Sequence, residues 1–215
     1  MKIIDLTHKI KESMPVYPGT EPPIIIDQNT IEKNGFAEKK ITMFSHTGTH
    51  MDAPSHMRIE GKTLGEFPVD KFIGEGFIID LTNLNIEKIT LQFLEKYKGE
   101  ISKVDFIIMK TGWSAYWGEE TYFKGYPTLT LEAAKWLTNF KLKGIGVDTI
   151  SVDPIDTIDF FVHHTFFENS LVIIENLNNL SEINENIITF SAMPLNLDNA
   201  DGSPVRAVAM VKELI

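Results

Sequence analysis

Apolar positions along the chain fall into two recurring patterns. Short runs rich in Val, Ile and Phe, bounded by Gly, Asp or Asn, read as strands: "KKITMFSHTGTHMD", "GFIIDL", "VDFIIMKT", "GIGVD", "SLVIIEN" and "RAVAMV". Two other segments space their apolar residues for one helical face. In "TLQFLEKYK", Thr90 is placed as the N-cap, and Leu91, Leu94 and Tyr97 share a face. In "TLEAAKWLTNFK", Thr130 takes the capping position, and Leu131, Ala134, Trp136, Leu137 and Phe140 form an apolar stripe with Gly144 as the stop. That stripe is expected to be core, Trp136 included. Strands alternating with helices predict α/β packing. No repeat, low-complexity tract or flexible linker interrupts the pattern, and "NLNNLSEINENI" reads as a surface connection. The expectation is one domain over residues 1–215.

Composition narrows the class of partner. A hydrophobic content of 43% and a charged content of 23% are those of an ordinary globular protein. The formal charge of −10 argues against nucleic acid or an anionic membrane surface, which need clustered Lys and Arg. No run approaches the roughly 18 apolar residues of a membrane span. The opening "MKIIDLTHKIKESMP" carries charge throughout, unlike a signal peptide, so a cytoplasmic protein is expected. Cysteine is absent, which leaves His, Asp and Glu as the side chains able to hold a metal.

The stretch "SHTGTHMDAPSHM" holds three of the six histidines, together with Asp52. His46 and His50 stand four apart, but Thr47, Gly48 and Thr49 are poor helix formers and Pro54 would break a helix. A strand is the natural reading, and its period of two sends His46, Gly48, His50 and Asp52 to one face. Gly48, lacking a side chain, leaves room for an ion between two imidazoles. Two imidazoles and a carboxylate form a partial shell for zinc or manganese. A single strand histidine is ordinarily a hydrogen-bonded structural residue; the density of ligand types here is what favours a metal. Past Pro54 the alternation no longer says where His56 points. A second cluster, His163 and His164, precedes the apolar run "LVII", which ends on Glu175. A carboxylate closing a buried strand is costly unless paired, and a cation would account for it. His8 stands apart and reads as structural.

Other catalytic machinery is missing. "GWSAY" lacks the second glycine of a nucleophile elbow, and "GIGVDT" lacks the third of a dinucleotide loop. Trp113, Tyr116 and Trp117 could line an aromatic pocket or pack at an oligomer interface.

The run "HTGTHMDAPSH" resembles the signature of the cyclase family, which includes bacterial kynurenine formamidases and isatin hydrolases. "DLTHKIKESMPVYPGT", "MKTGW", "GIGVDTISVDP", "HHTFFENSLVIIENL" and "DGSPVRAVAM" are similar to further family segments in the expected order. The resemblance implies a swivelling β/β/α domain, a mixed sheet partly closed like a barrel with helices outside. It implies that His46, His50, Asp52, His163 and Glu175 hold one or two divalent ions, zinc or manganese, with Asp52 able to bridge. His56 matches the family's acid–base residue, although a ligand or a ligand-supporting role is the alternative. Tyr17, in "VYPG", falls where kynurenine formamidases typically carry a substrate-contacting Trp, and it is expected to touch the substrate. A homodimer or homotetramer acting on a small-molecule amide is implied.

A divalent ion in such a site would supply an activated water, its pKa lowered to roughly 7, and a Lewis acid for a carbonyl. His56, with an unperturbed pKa near 6.5, suits the proton transfer that an amide nitrogen needs to leave. Three functions follow as expectations. The first is hydrolysis of an aryl formamide such as N-formylkynurenine, giving kynurenine and formate. The second is opening of a cyclic amide of the isatin type. The third is a non-catalytic metal-binding module, which would have no use for a proton-transfer residue beside its ligands.

Overall fold

The computed structural model describes residues 1–84 and 86–211. Its strands are β1 (Lys2–Asp5), β2 (Ile24–Asn29), β3 (Glu38–Thr42), β4 (His50–Asp52), β5 (Ile73–Asp80), β6 (Lys88–Ile89), β7 (Phe106–Lys110), β8 (Thr128–Leu129), β9 (Gly144–Val147), β10 (Val172–Glu175), β11 (Ile187–Pro194) and β12 (Gly202–Val211). Its α-helices are α1 (Ile31–Asn34), α2 (Leu91–Glu95), α3 (Lys98–Ile101), α4 (Leu131–Leu137) and α5 (Phe161–Glu168).

The main sheet runs β1-β12-β11-β5-β7-β9-β10-β4, and β4 pairs again with β12. That second pairing closes seven strands into a ring, with β1 attached outside it along β12. The pairs β5–β7, β7–β9 and β9–β10 are parallel; β10–β4, β4–β12, β12–β11 and β11–β5 are antiparallel. The parallel strands read as unbroken apolar runs because both their faces are covered. Alternation sorts their side chains. Ile78, Phe106, Ile108, Val172 and Ile174 fill the inside of the ring with Met51, Phe190 and Ala207. Phe77, Ile79, Ile107, Met109, Ile145 and Ile173 face the other way, onto Leu94 of α2, Ala133, Ala134 and Leu137 of α4, and Val162 and Phe166 of α5. The fold is the mixed, closed sheet with outer helices that the resemblance implied.

Both anticipated helix starts are present. The Thr90 hydroxyl accepts from the Phe93 amide and the Thr130 hydroxyl from the Ala133 amide, each satisfying one of the donors a helix start leaves unpaired. Trp136 packs on the outer core and meets Phe140 edge-on at 4.7 Å. Gly144 is not the stop of that helix. It opens β9, where a Cβ would lie 2.6 Å from the Val172 carbonyl oxygen, so close strand approach is its reason.

The single strand expected from "KKITMFSHTGTHMD" is two pieces with a turn between them. β3 ends at Thr42 and pairs with β2 in a separate two-stranded sheet, whereas β4 belongs to the ring. The chain must change sheets, and residues 43–49 do so as a turn. Gly48 sits at φ +67 there, a backbone state most side chains avoid, and a Cβ would also lie 3.1 Å from the Met14 methyl. The connection "NLNNLSEINENI" also departs from a plain surface loop, since Asn176, Leu177, Leu180 and Ile183 are buried.

Candidate metal centre

Strand pairing places the first three candidate ligands. β4 lies against β10 with His50 opposite Glu175 and Asp52 opposite Ile173. Opposed residues share a face. Met51 points into the ring, so His50, Asp52 and Glu175 look outward, towards α5. α5 supplies His163. His46 comes from the turn before β4, so its approach to His50 and Asp52 is the work of the turn and not of strand alternation. Gly202, opposite Asp52 on β12, makes room for it: a Cβ there would stand 2.5 Å from His46 Cε1.

The side chains converge on Asp52. His46 Nδ1 lies 2.7 Å and His50 Nε2 3.1 Å from Asp52 Oδ1. His163 Nε2 lies 3.8 Å from the other oxygen, Oδ2, and 3.4 Å from Glu175 Oε1. Two groups of three result, His46–His50–Asp52 and Asp52–His163–Glu175, each with ligand atoms within 4.8 Å of one another. Asp52 is common to both.

The nitrogens facing away from these groups are all held. His50 Nδ1 donates to the Gly48 carbonyl at 2.8 Å; because a carbonyl only accepts, Nε2 keeps its lone pair for the centre. His163 Nδ1 meets Asp153 Oδ2 at 2.7 Å, and Asp153 also accepts from the backbone amides of Val162 and His163, capping the start of α5. His46 Nε2 meets Asp201 Oδ2 at 3.0 Å. Such outer partners fix ring orientation and raise ligand basicity. The turn itself is clamped by Asn176, in the left-handed region at φ 58. Its amide donates to the Gly48 carbonyl at 2.8 Å and accepts from the Tyr122 hydroxyl at 2.7 Å, while its own carbonyl accepts from Thr49 Oγ1 at 2.6 Å.

Charge explains why a cation suits this place. Asp52 is 1% exposed and Glu175 5%. Burial and the neighbouring Asp52 push the Glu175 carboxyl up; burial alone would push Asp52 up, but His50 and His46 hold it well below the carboxylate range. Burial likewise opposes charge on His46 and His163, yet Asp52 and Asp201 raise the first to about 9, and Asp153 and Glu175 raise the second to about 10. Imidazolium protons here do the neutralising that a divalent ion would do at the same spot. Nitrogen and carboxylate donors without sulfur fit zinc or manganese.

His56 stands just outside the two groups, on a 3₁₀ turn over Pro54–His56. Its ring lies against His46 at 3.9 Å between centroids, and its Nδ1 is 3.7 Å from Asp201 Oδ2. Burial lowers its pKa to about 4. A cavity of about 640 Å³ opens over the centre, lined among others by Tyr17, Phe44, His56, Phe160, His164 and Asp201. Tyr17 thus belongs to the cavity wall. Trp113, Tyr116 and Trp117 do not line it; Trp113 and Trp117 pack behind Tyr17 with Tyr122, Tyr126 and Ile150. His8, buried and stacked on Trp117 at 3.8 Å, is part of that packing and not of the centre. Asp153, Asp201 and Asn176 escaped the sequence reading. Asp153 and Asp201 do lie in the family-like segments "GIGVDTISVDP" and "DGSPVRAVAM", but no local spacing pairs Asp201 with a histidine 155 residues away.

The Cyclase family model, described as "Putative cyclase", matches residues 4–154. The chain belongs to the cyclase family. A relative described as kynurenine formamidase, from Bacillus cereus, is 33% identical over 206 residues, 95% of each chain. An isatin hydrolase bound to the product analogue thioisatinate superposes on this cyclase-family chain with a TM-score of 0.88 at 22% identity. That match covers 99% of this chain and 93% of the other, and it shows the shared fold. A structure described as a potential metal-dependent hydrolase with cyclase activity is 30% identical, with a TM-score of 0.80 and 99% of both chains covered.

Proposed function

We propose that this cyclase-family chain is a metal-dependent amidohydrolase that cleaves an aryl formamide, N-formylkynurenine in the first instance, to an aniline and formate. The observation that carries the reading is the pair of three-residue donor groups joined through the two oxygens of Asp52, beneath a cavity with His56 at its wall. Similarity over nearly the whole chain to relatives described as kynurenine formamidase supports the substrate. His46, His50 and Asp52 would hold one ion and Asp52, His163 and Glu175 a second, zinc or manganese. Bound there, the metal supplies an activated water and a Lewis acid for the carbonyl.

The chain's own residues do the rest. Asp153, Asp201 and the Gly48 carbonyl keep the three imidazoles aimed inward. His56, uncharged at neutral pH, takes up at one ring nitrogen the proton that the attacking water loses as its oxygen bonds the carbonyl carbon, and gives it to the aniline nitrogen as the C–N bond breaks. Asp201, 3.7 Å from Nδ1, favours the imidazolium formed in between. Tyr17 offers a flat face to the aromatic ring, worth roughly 0.5–1.5 kcal/mol beyond burial. Tyr in place of the Trp typical of kynurenine formamidases leaves a smaller face there. Exposed Ile24, Ile26, Phe36 and Ile41 on and beside the β2–β3 hairpin support a homodimer or homotetramer.

Opening of a cyclic amide is the second reading, favoured by the fold shared with isatin hydrolase. Parallel assays of the metal-loaded protein separate the two: formate release from N-formylkynurenine, and ring opening of isatin. Formate release is expected to be the faster by far. Turnover of isatin with none of the formamide would transfer the chain to the second reading.

A further inference from the structure

Beyond the two donor groups that share Asp52, a third set of ligand-type side chains meets at the cavity wall: His46, His56 and Asp201. Asp201 Oδ2 lies 3.0 Å from His46 Nε2 and 3.7 Å from His56 Nδ1. The longer separation is no hydrogen bond. It is, however, near the spacing of two ligands on one ion: donors about 2 Å from a tetrahedral zinc lie roughly 3.3 Å apart. The Asp201 side chain is 46% exposed, so the group is open to solvent, unlike the buried Asp52, His163 and Glu175 beneath it.

His46 cannot serve both places equally. With its Nδ1 turned to Asp52 and an ion beside it, its Nε2 carries the proton that Asp201 accepts. An ion at the wall would then be held by His56 Nδ1, Asp201 and water, with fewer protein ligands than the groups below provide. Its hold must be looser. An ion bound to His56 also occupies a lone pair on the ring that proton transfer needs. We propose that His56 and Asp201, beside His46, form a separate and weaker site for a divalent transition metal such as zinc, whose filling blocks proton transfer and shuts the enzyme down. The inhibition rests on the proposed role of His56; the binding does not.

Equilibrium dialysis of the metal-loaded protein against rising zinc tests it, with Asp201→Asn and His56→Gln dialysed alongside. The unsubstituted chain is expected to take up one further ion beyond those held tightly. His56→Gln should keep the tight ions and fail to take up the extra one, whereas Asp201→Asn should lose the extra ion and also hold the His46 ion more weakly, because Asp201 orients that ring. Over the same zinc range, formate release by the unsubstituted chain should fall roughly 10²-fold, the scale of a lost proton-transfer residue. No extra ion, or equal uptake by all three proteins, would overturn the site. Uptake without loss of turnover would overturn the inhibition. Tight ions absent from every protein would instead count against the proposed function, a separate failure that the same dialysis reads.

Discussion

Asp153 shows how much of the proposed metal centre lies one residue beyond its candidate ligands. One carboxylate caps the first turn of α5 through two backbone amides and pins His163 Nδ1 at 2.7 Å, so helix start and ligand orientation are set together. Asp153→Asn keeps the shape but weakens the acceptor, and tight-ion affinity is expected to fall by about 10–100-fold, the scale of such outer partners. Competition with a chelator measures this, and unchanged affinity would leave Asp153 a helix cap only. Gly202 makes a second case. A methyl group at Gly202 would reach within 2.5 Å of the His46 ring, which is only half-buried and is the group that must move. Gly202→Ala should cost about 1–3 kcal/mol by overpacking and push His46 out of the first donor group. Thermal denaturation and metal content read the two effects separately.

At the scale of elements, the centre depends on a turn that joins two sheets. Residues 43–49 leave β3, bring His46 back over β4, and are anchored by Asn176 from the end of β10. Asn176→Ala removes the donor to the Gly48 carbonyl and the acceptor of the Tyr122 hydroxyl, both buried. A loss of about 1–3 kcal/mol is expected for groups left unsatisfied, with weakened metal binding at the His46 group. Stability by denaturant titration and metal counting check it.

These same elements show what was legible in the sequence. The parallel strands and both Thr-capped helices could be read directly, because apolar runs and N-caps are local signals. His50 and Asp52 do share a strand face, and Glu175 does sit opposite His50, where a buried carboxylate called for a partner. The break at Gly48 could not be read, because it arises from which sheet each piece joins. Gly144 was misread for a related reason: its role is contact with Val172, far off in sequence. Asp201 and Asp153 were out of reach because a carboxylate's partner is fixed by the closure of the ring, which no spacing records.

For the molecule as a whole, the charge at the centre makes metal and pH interdependent. His163 in the folded chain has its pKa raised to about 10, since Asp153 and Glu175 outweigh the burial that opposes it. In the unfolded chain it returns to about 6.5. Stabilisation from that imidazolium is therefore complete below about pH 6.5 and is lost as pH rises through about 10. Chelated protein should melt at progressively lower temperature across that window. Metal-loaded protein should lack this slope, because ligand imidazoles are already neutral. An identical slope in both forms would mean that His163 is not a ligand.

The most direct measurement of the central claim is formate release from N-formylkynurenine as zinc or manganese is added back to chelated protein. Turnover should be absent without metal and rise in step with ions bound at the Asp52 groups. His56→Ala, carrying the same metal, should turn over roughly 10²-fold or more slowly. Turnover that persists in fully chelated protein, or no turnover of the formamide with both donor groups filled, would contradict it.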